Sequence, residues 1–84
     1  MSGQLQIRFD NQEGALLRLL GAVERRGFSL RQVAMAAGPA DALLTLDVEA
    51  RDSGRSLDVI ARQLDRLVDV HSVLVSSQQS GTPA

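Results

Sequence analysis

Hydrophobic and polar residues alternate over residues 4–10, a pattern typical of a strand with one buried face. Leu5, Ile7 and Phe9 are separated by polar residues, so the strand would bury one face and expose the other. After Gly14 the period changes to that of a helix. The apolar stripe of this helix is formed by Leu16, Leu19, Leu20 and Val23. Arg25 and Arg26 would end the helix, and Gly27 would follow as its C′ residue.

The same reasoning predicts three more strands and a second helix. The strands cover residues 28–37, 44–49 and 68–76, and the helix follows Ser56 with an apolar stripe that reaches Leu67. The alternation slips by one position near residues 31–32, which predicts a β-bulge, and it slips again between 70 and 73. Asp10 or Asn11 would cap the first helix, Ser56 the second, and Asp58 would pair with Arg62.

The element order is therefore βαββαβ, which predicts an α+β, ferredoxin-like fold. A four-stranded antiparallel sheet would carry both helices on one face and leave the other face open to water. The open face would present Gln4, Gln6, Arg8, Thr45, Asp47 and Glu49. We expect one domain over residues 1–76 and a flexible tail over 77–84.

Composition excludes several classes of function. The net charge of −1 gives no electrostatic case for nucleic acid or an anionic membrane, and the absence of Cys excludes thiolate chemistry. Phe9 and Phe28 are the only aromatic residues, too few for base stacking. No apolar run is long enough to span a membrane, and the N-terminus lacks the features of a signal peptide, so we expect a cytoplasmic protein.

The pattern offers no catalytic residue and no metal site. His71 is the only histidine, and the ten carboxylates are scattered along the chain. A hydrolase of the acylphosphatase type would need an arginine in its phosphate loop, whereas Arg18 falls on the first helix. An RNA-binding domain of this topology would need aromatic residues on its open sheet face. Both readings are therefore weaker than that of a binding module.

The segment between the first strand and the first helix carries the most specific chemistry. Unpaired N–H groups at a helix N-terminus bind anions such as carboxylates, and Gly14 would let a ligand approach the backbone. The amide of Asn11 can both donate and accept hydrogen bonds. This chemistry suits a zwitterionic amino acid, although Asn11 and Gly14 could equally serve only the turn itself.

Three segments together resemble a known family. Residues 9–18 read FDNQEGALLR, residues 25–30 read RRGFSL and residues 63–70 read QLDRLVDV. These segments are similar to the ACT domain of the small, regulatory subunit of acetolactate synthase (acetohydroxyacid synthase), and the match covers roughly residues 5–76. The resemblance implies a non-catalytic activating subunit in branched-chain amino acid biosynthesis.

In that family the small subunit binds a large catalytic subunit, which uses thiamine diphosphate, FAD and Mg²⁺, whereas the small subunit itself binds none of these cofactors. ACT domains pair as homodimers through their second strands, and an effector such as valine lies between the two copies. Carried over, the effector-binding residues are Asn11, Gly14, Ala15 and Leu16, with Ser29 and Leu30 from the second copy. The backbone N–H groups of residues 14–16 would donate hydrogen bonds to the effector's carboxylate.

Three departures from the longer, feedback-sensitive members bear on this expectation. Ser29 stands where many of them have Asn, and Leu17 where they often have Ser. Those members also carry a second C-terminal domain, so this chain resembles the short form. The alternative reading is a free-standing amino-acid-binding ACT domain that regulates a different metabolic enzyme.

Overall fold

Four strands and two helices follow one another in the predicted order. The computed structural model describes residues 2–52, 54 and 56–77. Its elements are β1 (Ser2–Asp10), α1 (Ala15–Arg25), β2 (Phe28–Ala37), β3 (Asp41–Ala50), α2 (Leu57–Asp65) and β4 (Val70–Ser77). Among these residues, no helix has the length and apolar character needed to cross a membrane.

The strands form one antiparallel sheet in the order β2-β3-β1-β4. β1 and β3 occupy the centre and pair without interruption, from Ser2 opposite Glu49 to Asp10 opposite Asp41. α1 packs against β2 and α2 packs against β4. The predicted ferredoxin-like architecture is therefore confirmed.

The core lies between the two helices and one face of the sheet. Every second residue of β1 and β3 points into it, which places the polar residues between them on the open face. The buried apolar residues of the sheet are Leu5, Ile7, Phe9, Phe28, Ala42, Leu44, Leu46 and Val48. The helices contribute Ala15, Leu19, Val23, Leu57, Ile60 and Leu64. The alternation seen in the sequence is thus the alternation of the pleat.

The bulge predicted in the second strand is present, and the slip in the fourth strand also coincides with a register shift. The β2–β3 register shifts between Leu30 and Gln32, and the β1–β4 register shifts between Arg8 and Phe9. Beyond the first shift, Val33 and Met35 stand opposite the buried Leu46 and Leu44. They therefore share the helix side of the sheet, yet both are more than 40% exposed because β2 lies at the sheet's edge.

The predicted helix caps are wrong. α1 follows Gly14 in the left-handed conformation, and no side chain caps it. Asp10 cannot serve, because it belongs to β1 and its carboxylate contacts His71. Ser56 precedes α2 without a side-chain capping bond. At the other end of α1 the prediction of Gly27 is confirmed, since its φ of 94° is left-handed.

α2 is shorter than its apolar stripe suggested. The helix ends at Asp65, and the N–H groups of Leu67 and Val70 then close successive turns. Val68 is 93% exposed in this connection. The prediction that the fourth strand begins at Val68 is therefore wrong. The strand instead runs from Val70 through Ser77, one residue into the predicted tail, and the rest of that tail lies outside the residues described. The predicted pair of Asp58 and Arg62 is absent from the ion pairs of the residues described.

Candidate functional site

The segment of residues 10–14, which we call loop 1, joins β1 to α1 and is held by backbone hydrogen bonds. The N–H of Gln12 donates to the carbonyl oxygen of Asp10 at 2.9 Å, and that of Ala15 donates to Gln12 at 3.0 Å. The N–H of Asp10 donates across to the carbonyl oxygen of Asp69 at 2.8 Å. Loop 1 is therefore a closed turn tied to the start of β4.

Within residues 14–16, two backbone N–H groups have no acceptor among the residues that the structure describes. They belong to Gly14 and Leu16. The N–H of Ala15 is already engaged by Gln12, so the expected set of three free donors at residues 14–16 is reduced to two. Since Gly14 is exposed and lacks a Cβ, a small anion can reach both donors from solvent.

Charged side chains surround this turn, and the sequence pattern does not predict them as a group. The guanidinium of Arg18 lies beside Gly14 and forms an ion pair with Asp69. His71 Nε2 lies 2.6 Å from a carboxylate oxygen of Asp10. Within the described part of the chain, no group of three His, Cys, Asp or Glu side chains is placed to hold a metal ion.

The signal for this cluster was present but indirect. Asp69 and His71 flank the start of β4, and the sheet order places that strand beside β1. Once the βαββαβ order is accepted, the end of β1 and the start of β4 must therefore meet at one end of the sheet. The resulting site offers a cation in Arg18 and an anion in Asp69 next to two free N–H groups. Asn11 is exposed at the same turn.

The two remaining predicted residues lie at the opposite end of the sheet. Leu30 pairs with Val48, whereas Phe9, next to loop 1, pairs with Ala42. Six residues of strand span about 20 Å. Ser29 accepts a long hydrogen bond of 3.5 Å from Nε of Arg51, and Leu30 is half-buried against the core. A single chain therefore brings together Asn11, Gly14, Ala15 and Leu16, but not Ser29 or Leu30.

Two glycine-to-alanine changes should affect stability in opposite directions. Gly14→Ala should lower the free energy of unfolding by about 1–2 kcal/mol, because its φ of 81° is left-handed. Gly21→Ala, inside α1, should raise it by about 0.5–1 kcal/mol, since only the mobile end of Arg25 approaches the new Cβ. Urea denaturation followed by circular dichroism would measure both changes. A stabilising Gly14→Ala would contradict the left-handed geometry.

A family model for the ACT domain matches residues 11–73. The acetolactate synthase small subunit of Haemophilus influenzae is 32% identical over 75 residues, covering 89% of this chain and 46% of that protein. The acetolactate synthase isozyme 3 small subunit of Escherichia coli is 29% identical over 66 residues, covering 79% and 40% respectively. The chain thus spans about half the length of these curated relatives.

Solved structures agree on the fold. The ACT domain from the GTP pyrophosphokinase of Chlorobium tepidum superposes with a TM-score of 0.74 at 13% identity, over 89% of this chain and 96% of that one. The C-terminal domain of the Mycobacterium tuberculosis MgtC protein gives 0.69 at 14% identity, over 98% and 93%. Together with the family match over most of its length, this shows that the chain belongs to the ACT domain family.

Proposed function

We propose that this chain is the regulatory ACT portion of an acetolactate synthase, which binds the catalytic subunit and raises its activity. The proposal is supported by the similarity to small subunits, which covers up to nine-tenths of the chain. Thiamine diphosphate, FAD and Mg²⁺ would belong to the catalytic subunit. This chain would contribute binding energy that favours the active form of its partner.

The effector would be a branched-chain amino acid bound at loop 1. Its carboxylate would accept hydrogen bonds from the free N–H groups of Gly14 and Leu16, beside the ion pair of Arg18 and Asp69. Asn11 would contact its ammonium group. Ala15 would support the site from beneath, because its side chain is buried in the core and its own N–H is used inside the turn.

A second copy of the chain would complete the effector site. β2 lies at one edge of the sheet, and residues 31–37 are exposed along it. If two such edges paired antiparallel about an axis near Val33, Ser29 of one copy would stand opposite Ala37 of the other. Ala37 pairs with Ala42 at the loop 1 end of the sheet. Such pairing would therefore carry Ser29 and Leu30 of one copy to the loop 1 end of the other.

Adding this chain to a purified catalytic subunit should increase the rate of acetolactate formation. A coupling free energy of about 1–3 kcal/mol corresponds to a 5- to 150-fold shift toward the active form. The rate of the catalytic subunit would be measured against increasing concentrations of the chain, and the chain alone should form no acetolactate. An unchanged rate at saturating concentration would contradict the proposal.

A further inference from the structure

A shallow groove runs along the outer side of α2. Two adjoining depressions, each of about 180 Å³, share Val59 and Gln63 in their walls. Their walls also include Ile60 and three arginines, Arg26 at the end of α1 and Arg62 and Arg66 on and just after α2. We call this surface, formed by Arg26, Val59, Ile60, Arg62, Gln63 and Arg66, the α2 groove.

The α2 groove holds positive charge that the domain does not neutralise. Arg8, Arg18 and Arg31 each form an ion pair with a carboxylate elsewhere on the surface. Across the described ranges 2–52, 54 and 56–77, none of the three groove arginines forms one. The N-terminus of α2 adds to this potential, because the side chain of Ser56 provides no capping bond to the first N–H groups of the helix.

The acidic residues of α2 lie away from the groove. Helical spacing places Asp58 and Asp65 on one flank of α2, and Val59, Gln63 and Arg66 on the other. Arg62 lies between these two flanks, one turn from Asp58, but the two side chains form no ion pair within the described residues. The helix therefore presents a basic side that is available to a partner.

The middle of the groove is apolar. Val59 is 48% exposed and lies between the arginines, above the buried Ile60. A free phosphate would use the arginines but leave Val59 in water. A long nucleic acid would find no favourable overall charge, since the net charge of the chain is −1. A protein segment that carries acidic side chains around an apolar one would pair with the arginines and also cover Val59.

Pairing through β2 would leave this surface open. The two depressions include only Phe28 from β2, and none of the exposed residues 31–37. α2 packs on β4, at the opposite edge of the sheet. A dimer paired through β2 would thus carry two separate grooves, one for each partner chain.

We infer that the α2 groove is the docking surface for an acidic segment of the catalytic subunit, with an apolar side chain of that segment seated on Val59. This inference rests on the proposed function, because it names the surface through which that function would act. Charge complementarity would set its dependence on salt.

The test compares charge reversals inside and outside the groove. Binding of the full chain to the intact catalytic subunit would be measured by calorimetry for wild type, Arg62→Glu/Arg66→Glu and Arg62→Glu. Arg25→Glu is the matched control, because Arg25 is exposed and forms no ion pair within the described segments but does not line the groove. Circular dichroism would verify that each variant is folded.

We expect the double variant to raise Kd roughly 10- to 100-fold and to weaken the dependence of Kd on salt, while Arg25→Glu stays within about threefold of wild type. Equal binding by the double variant and wild type would overturn the groove assignment alone. Failure of the wild-type chain to bind would overturn the proposed function and, with it, this surface. Stabilisation of the isolated chain by inorganic phosphate, lost in the double variant, together with unchanged subunit binding, would identify a small-anion site instead.

Discussion

Replacing Leu46 with alanine is expected to lower the free energy of unfolding by about 3–5 kcal/mol. Leu46 is completely buried in the middle of β3, opposite Leu5 on one side and Val33 on the other. A domain of 84 residues has a total stability of about 4–12 kcal/mol. The substitution would therefore remove between about a quarter and all of that stability.

Leu74→Ala is the matched control, because it makes the same chemical change at a side chain that is 63% exposed on the open sheet face. We expect it to cost less than about 1 kcal/mol. Urea unfolding followed by circular dichroism gives both values. Equal losses at the two positions would be incompatible with the placement of the core on the helix side of the sheet.

Valine, leucine or isoleucine is expected to raise the melting temperature of the isolated chain by roughly 10–20 °C. A ligand at one hundred times its Kd adds about 2.7 kcal/mol to the stability of the folded state. In a domain of this size, each kcal/mol corresponds to about 4–8 °C. A thermal-shift scan against the twenty amino acids would measure the effect and identify the effector.

The neighbouring residues Asn11 and Gln12 both carry side-chain amides, and comparing their substitutions tests the position of the effector site. Asn11→Ala should weaken binding roughly 10- to 150-fold, the loss expected when a hydrogen bond to a charged group is removed. Gln12→Ala should bind like wild type. Gln12 accepts a hydrogen bond from the N–H of Ala15 through its main-chain carbonyl oxygen, and the substitution retains that oxygen. A shift confined to an unrelated amino acid would favour a different client enzyme. No shift with any amino acid would contradict an effector site at loop 1.

The same scan can reveal whether the site needs two copies. Met35→Glu places a charge on the exposed edge of β2 and should both prevent pairing and abolish the thermal shift. Leu74→Glu adds the same charge on the open face and should leave the shift unchanged. Sedimentation would report the mass of each variant. A monomeric Met35→Glu chain that still binds valine would place the whole site within one copy.

The sequence predicted the architecture well because burial controls it. Strict alternation over Leu5, Ile7 and Phe9 leaves only one face for the core, and the slip near residue 31 could be resolved only by a bulge. Helix ends were predicted less well because they depend on local backbone bonds. At Gly14 the turn is closed by the carbonyl oxygen of Gln12, and no pattern of side chains reports such a bond.

Only the part of the candidate site that lies within one short segment of the chain could be predicted from the sequence pattern. Gly14 and Asn11 could be identified from the turn, but Arg18 and Asp69 form a pair between segments 51 residues apart in sequence. Ser29 and Leu30 were predicted to bind the effector only because of the family resemblance. Both lie at the end of the sheet opposite loop 1. Their role depends on a second copy, which periodicity within one chain does not encode.

The edge of β2 also has a consequence for how the cell must handle this chain. Residues 33–37 read VAMAA, an uncharged run on a strand that has a neighbour on only one side. An open edge of this kind can recruit any extended chain, and the nearest protective charges are the paired Arg31 and Glu49 beside the bulge. Pairing of two copies through β2 would cover both edges at once, so the unpaired monomer is the form at risk of edge-to-edge aggregation. The rate of pairing, more than folding itself, would then set how much of this protein a cell can keep in solution.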